Sequence, residues 1–109
     1  MATGDGRLIM LQQLITTVLV ANRAEVALRI QATCHARGLK TVAVYTPHDA
    51  SLRYVAQATK AFKLTGSDFS AYLNQEELVA IALQAGADAL HPGYGFLAEN
   101  AQFAQRVID

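Results

Sequence analysis

One cysteine, Cys34, stands among 109 residues, which excludes an internal disulfide and a cysteine-rich zinc site and suits a reducing compartment, with the cytoplasm as the default. Charge of one sign is lacking too. Nine basic side chains balance nine acidic ones, so there is no basic footprint for nucleic acid and no polybasic patch for a membrane surface. No hydrophobic run reaches the ~20 residues of a membrane span. The nearest, Leu8 to Ala21 behind Arg7, imitates a signal-peptide core but is interrupted by Gln12, Gln13, Thr16 and Thr17 and leads straight into a strand. Met10 offers an alternative start that would make Met1 to Ile9 a tail. Also missing is a Gly-x-Gly-x-x-Gly turn after the first strand, since Asn22 to Ile30 contains no glycine, and no Gly-Lys-Ser or Gly-Lys-Thr occurs anywhere. Ordinary dinucleotide binding and P-loop chemistry are thereby disfavoured.

What is present alternates strand with helix. Thr17 to Ala21 is a short β-branched apolar run, and Glu25 to Arg37 carries Val26, Ile30 and Cys34 at helical spacing. Asn22 with Glu25 three residues later suggests a capping box, and Gly38 is placed to end the helix in a left-handed conformation. Thr41 to Tyr45 reads as the next strand, Ser51 to Ala58 as a short helix and Ala61 to Thr65 as a weaker third strand. Asn74 with Glu77 repeats the capping pattern ahead of Leu78, Ile81 and Ala82. Gly86 closes that helix before a strand over Ala87 to Leu90, and a further helix is predicted over Glu99 to Val107. Continuously apolar strands separated by helices imply a doubly wound α/β domain, a mostly parallel sheet with helices on both faces. At this length the chain is one domain at most, burying roughly two thirds of its unfolded surface; residues 17–109 form that domain and 1–16 an extension.

The chemistry-bearing stretch is His91-Pro92-Gly93-Tyr94-Gly95-Phe96-Leu97-Ala98-Glu99-Asn100. Gly93 and Gly95 let backbone come close to a ligand and expose its N–H groups, while Tyr94 offers a ring face and a hydroxyl. The loop follows a strand, as does Asn22-Arg23-Ala24-Glu25, so both belong to the carboxyl edge of the sheet, where ligands of such folds collect. A plain strand-to-helix turn accounts for the same glycines. His91, beside Pro92 at a strand end, fits a loop-holding hydrogen bond better than acid–base work. His35 and His48 read as surface residues, because no second ligand stands at metal spacing.

Val18 to Ile30, Lys40 to Tyr45, Tyr72-Leu73-Asn74 and His91 to Asn100 occur in that order. Together they resemble the amino-terminal domain of biotin carboxylase, over about Thr17 to Asp109. The resemblance implies a Rossmann-like domain preceding an ATP-grasp domain in an ATP-dependent ligase that uses bicarbonate to carboxylate the ureido nitrogen of carrier-bound biotin. It implies biotin, ATP and magnesium as cofactors of the parent enzyme, none held by this stretch alone. The implied partners are a downstream ATP-grasp domain, a biotin carboxyl carrier protein or domain, and a carboxyltransferase component. Tyr94 and Gly95 match family positions that hold the biotin ureido ring, with His91, Gly93 and Phe96 shaping the loop. The family's catalytic arginine and magnesium-binding carboxylates lie beyond Asp109, so no catalytic or metal-binding residue is assigned here and the stretch alone is expected to be inactive, as a cut from a longer polypeptide would be.

Helix geometry at ~100° per residue turns Val26, Ala27, Ile30 and Cys34 inward and leaves Arg29, Ala32 and Ala36 as an outer stripe. By the resemblance, Arg29 matches a dimer-interface position, while Ala32 and Ala36 replace a basic and an acidic residue. A homodimer on this stripe would rest on close apolar contact; a different assembly and an ordinary solvated helix face remain open. Other departures are Ala24 for the usual glycine after Asn-Arg, Ala98 for a usual serine cap, and Thr59-Lys60 for a common acidic pair. The competing function is a non-catalytic α/β module that binds a small ligand or mediates oligomerisation through the same loop and stripe. A flavodoxin-like phosphate binder is disfavoured, because the first loop is not rich in serine, threonine and glycine.

Overall fold

The computed structural model describes residues 15–92. Four strands, β1 (Thr17–Val20), β2 (Lys40–Tyr45), β3 (Lys60–Lys63) and β4 (Ala89–His91), form one sheet in the order β3-β2-β1-β4, with every neighbouring pair parallel. Three α-helices connect them: α1 (Ala24–Ala36), α2 (Arg53–Gln57) and α3 (Gln75–Ala85). Short 3-10 turns at Pro47–Asp49 and Phe69–Leu73 precede α2 and α3. The predicted helix over Glu99 to Val107 and the altered cap at Ala98 lie outside the described residues.

Alternation along β1 and β2 builds two cores. Leu19, Ala21, Val42 and Val44 face one way and pack with Leu64, Tyr72, Leu78 and Ile81. Val18, Val20 and Ala43 face the other way and pack with Ala27, Cys34 and Tyr54. The sheet is therefore covered by α3 on one face and by α1 and α2 on the other, the doubly wound arrangement that the apolar strands imply. Of the described strands, β3 departs from the apolar pattern. Lys60, Ala61 and Lys63 are exposed, and lysines on an edge strand discourage pairing with another sheet. No described helix is long and apolar enough to cross a membrane.

Local chemistry sets the ends of α1 and α3. Gly38 takes φ 78° after α1, where Gly38 N–H donates to the His35 carbonyl at 3.0 Å and Leu39 N–H to the Cys34 carbonyl at 2.9 Å. This is a left-handed stop that satisfies the last carbonyls of the helix. Gly86 does the same for α3 at φ 72°. Asn74 caps α3 by accepting from Glu77 N–H at 3.1 Å. The Glu77 carboxylate does not close the capping box, because it accepts from Thr65 N–H at 3.0 Å and from the Thr65 hydroxyl. The helix turned inward at Ala27 and Cys34 as the spacing requires, yet Val26 and Ile30 are only half-buried, and Gln31 is 1% exposed. Gln31 is drawn in by α2, where its Nε2 donates to the Tyr54 carbonyl at 2.8 Å.

Candidate functional site

Strand order places the site. The chain steps from β1 to β2 to β3 in one direction and then returns to lay β4 on the opposite side of β1, so the carboxyl ends of β1 and β4 flank the point where strand order reverses. Val20 pairs with His91, and just past it Ala21 N–H donates to the His91 carbonyl at 2.9 Å. Asn22 Nδ2 then donates to the Pro92 carbonyl at 2.9 Å, while Asn22 Oδ1 accepts from Arg23 N–H at 2.8 Å. The capping box expected of Asn22 and Glu25 is thereby corrected. Arg23 is the N-cap of α1 and makes no side-chain cap bond, because the Asn22 amide is taken up by β4 and by its own loop. Ala24, the first residue of α1, sits at φ 54°, a left-handed conformation that costs an L-residue with a side chain ~1–2 kcal/mol.

Beside this junction lies a polar cluster that no sequence pattern announces. Arg23 donates to Asp49 twice, Nε to Oδ2 at 2.6 Å and Nη2 to Oδ1 at 2.7 Å. The Asp49 carboxylate is fully buried and also accepts from the Tyr72 hydroxyl, which lies 2.8 Å from the Tyr54 hydroxyl. Tyr54 in turn donates to the Val44 carbonyl at 3.0 Å, and Thr46 N–H donates to Tyr72 at 3.1 Å. The Arg23 guanidinium also lies 4.5 Å from the ring centre of Phe69, within cation–π range.

Charge pairing and burial shift these groups in opposite senses. The hydrogen bonds from Arg23 hold the Asp49 carboxyl below the usual carboxylate range, and the Arg23 guanidinium is held more firmly protonated by the same bonds. Burial pushes the Tyr54 and Tyr72 phenols up, reinforced at Tyr54 by its bond to Tyr72 and at Tyr72 by the bond to Asp49. An anion fixed by an arginine and surrounded by neutral phenols is a structural clamp rather than an acid or base near neutral pH. It fixes Arg23, and with it the loop after β1.

Of the residues singled out for binding, Tyr94, Gly95, Gly93 and Phe96 lie outside the described residues. His91 ends β4, and its backbone carbonyl accepts from Ala21 N–H. Arg29, Ala32 and Ala36 are all exposed on α1, along the face turned away from the sheet. His35 and His48 are exposed, the former 2.9 Å from the Thr41 hydroxyl through Nε2. Among the described residues no three histidine, cysteine, aspartate or glutamate side chains come together to hold a metal ion.

The fold is shared with proteins of known kind. The family model for the biotin carboxylase N-terminal domain matches residues 14–109. The chain belongs to that family. A Bacillus subtilis biotin carboxylase 2 is 48% identical over 94 residues, covering 85% of this chain and 21% of the relative. The 2-oxoglutarate carboxylase small subunit of Hydrogenobacter thermophilus is 47% identical over 88 residues, covering 81% of this chain and 19% of the relative. Among solved structures, the biotin carboxylase subunit of a pyruvate carboxylase superposes with a TM-score of 0.84 at 44% identity, over 87% of this chain and 21% of that one. The biotin carboxylase domain dimer of the H. thermophilus enzyme, solved with MgADP, ADP and bicarbonate, gives 0.81 at 45% identity over 84% and 20%. This biotin carboxylase N-terminal domain thus spans about a fifth of the length of those relatives.

Proposed function

We propose that this domain, residues 17–109 behind a 16-residue extension, serves an ATP-dependent enzyme that carboxylates the ureido nitrogen of carrier-bound biotin with bicarbonate. The observation that carries the reading is the junction at the switch point. Two hydrogen bonds, Ala21 to His91 and Asn22 to Pro92, fasten the end of β4 and the residue after it to the loop after β1. In this reading Tyr94 packs its ring on the flat biotin heterocycle and Gly95 N–H donates to the ureido oxygen, with His91, Gly93 and Phe96 setting the loop's shape. When bound, ATP and magnesium supply the activation of bicarbonate, and the residues for that step belong to a downstream ATP-grasp domain. A carrier bearing biotin and a carboxyltransferase component are the partners, acting in the cytoplasm.

The exposed stripe Arg29, Ala32 and Ala36 is assigned to contact with a second copy of the protein. Two alanines allow close approach of helix backbones there, and Arg29 supplies the one charge. The domain alone is inactive in this reading.

The experiment is bicarbonate-dependent ATP hydrolysis by the full-length protein, with and without free biotin, for the natural sequence and for Tyr94→Ala. Biotin-stimulated hydrolysis is expected to fall much further than the biotin-independent rate. Equal loss of both, or no stimulation by biotin in the natural protein, would overturn the proposal.

A further inference from the structure

We propose that the apolar stretch of the amino-terminal extension, Leu8 to Leu14, folds back to cover the outer face of α3 at Leu83 and Ala80. The proposal does not depend on the function given above. Its basis is a surface of α3 that the described domain leaves open. Leu78 and Ile81 turn into the core, while Glu76, Ala80 and Leu83, four and three residues apart, make an exposed stripe along the opposite side of the helix. Leu83 is 78% exposed, more than any other large hydrophobic side chain among the described residues. A single surface leucine is ordinary; what distinguishes this one is the chain that emerges beside it.

By alternation along β1, Ile15 falls on the same face of the sheet as Leu19 and Ala21, which share a core with Leu78 and Ile81 of α3. The ladder still holds at this end, since Lys40 N–H donates to the Thr16 carbonyl at 2.8 Å. Thr16 is also fastened to the chain that leaves α3. Its N–H and hydroxyl both donate to Asp88 Oδ2, at 2.9 and 2.8 Å. Asp88 stands two residues after Gly86, whose N–H donates to the Leu83 carbonyl at 3.3 Å in the last turn of the helix. The extension therefore joins the domain on the α3 side of the sheet, at the end of α3 where Leu83 stands.

The composition and length of the extension suit that surface. Five of the seven residues from Leu8 to Leu14 are apolar, and water disfavours exposing such a run. The stripe from Leu83 back to Glu76 is ~10 Å long at the helical rise. Seven residues reach ~10 Å as a helix and ~23 Å extended, so the segment spans the stripe in either form. Arg7, just before it, is opposite in charge to Glu76 at the far end of the stripe.

The test is limited trypsin digestion of the full-length protein beginning at Met1, with cleavage after Arg7 timed by intact mass. The natural sequence is compared with Leu83→Glu, Leu11→Glu and the double variant. Cleavage requires the segment to leave the surface, so its rate follows the population of the open form. Either single substitution is expected to raise the rate about ten-fold, and the pair less than about two-fold beyond either one, because both break the same contact. A rate that Leu83→Glu leaves unchanged would overturn the proposal, and so would full additivity of the two substitutions. Light scattering on the same samples identifies the competing occupant, a second copy of the protein. A molecular mass that falls in Leu83→Glu while cleavage at Arg7 stays as it was makes the face an interface between copies and overturns the proposal. If Leu83→Glu fails to accumulate folded protein, Ala80→Glu, exposed one turn away on the same stripe, takes its place with the same expected outcomes.

Discussion

The Arg23 guanidinium grips the Asp49 carboxylate at two points, 2.6 and 2.7 Å, across the carboxyl edge of β1 and β2. The pair is asymmetric in burial. Asp49 is fully enclosed, while the Arg23 side chain retains 23% of its surface. The carboxylate therefore depends on its partners, whereas the guanidinium can fall back on water.

Asp49→Asn is accordingly expected to destabilise the protein by about 2 kcal/mol, below the full cost of breaking a wholly buried pair because Arg23 stays partly hydrated. Tyr72 would also lose the charged acceptor for its hydroxyl. Urea unfolding followed by circular dichroism measures the change. A shift within about 0.5 kcal/mol would show that the clamp contributes little.

Acid should act through the same carboxylate. The Asp49 pKa is lowered by its bonds to Arg23, and that of Asp88 is lowered by the N–H and hydroxyl of Thr16 and the N–H of Thr17. Both groups bind a proton more weakly folded than unfolded, so their stabilisation is present above the ordinary carboxylate pKa of ~4 and is lost as pH falls through the lower folded values. Unfolding free energy should hold steady down to about pH 5 and decline below about pH 4, less steeply in Asp49→Asn. An unchanged acid slope in the variant would count against Asp49 as a source of that decline. At the alkaline end Tyr54 and Tyr72 have raised pKa values through burial; the stability they confer is present below the ordinary phenol value of ~10 and is lost as pH rises through their folded values.

Ala24 and Gly86 form a matched pair of backbone tests. Both take positive φ, 54° and 72°, but only Gly86 has the residue that tolerates it. Ala24→Gly should stabilise by about 0.5–1 kcal/mol, relief of the left-handed strain exceeding the added freedom of the unfolded chain. Gly86→Ala should destabilise by about 1 kcal/mol, and since nothing lies within 4 Å of the added methyl, the loss would be one of backbone conformation alone. Thermal midpoints moving in the same direction for the two variants would refute the argument.

Two identical four-residue patterns show how far sequence reading reaches. Asn-x-x-Glu occurs at Asn22–Glu25 and at Asn74–Glu77. At Asn74 the side chain caps its helix; at Asn22 it spans 70 positions to the Pro92 carbonyl instead. Nothing within four residues distinguishes them, because the competitor for the first amide arrives only when β4 docks beside β1. The clamp was illegible for a related reason. Arg23, Asp49 with Tyr54, and Tyr72 come from three different connections between strands, and no spacing in the chain relates the three. The buried Gln31 likewise owes its place to the crossing of α2 over α1, which helical periodicity cannot register.

The alternation of strands and helices, the double covering of the sheet, the glycine stops at Gly38 and Gly86, and the family are all legible along the chain, because they depend on apolar runs, turn chemistry and motifs that are local in it. Strand ends differed from the sequence reading by one or two residues, as at β3 and β4. Which donors and acceptors meet at the carboxyl edge follows from how the strands and their connections pack: Asn22 with Pro92, Arg23 with Asp49, Tyr54 with Tyr72. Buried polar groups take whatever partner the packed strands bring within about 3 Å, and that neighbour is chosen by the order of strands in the sheet rather than by distance along the chain.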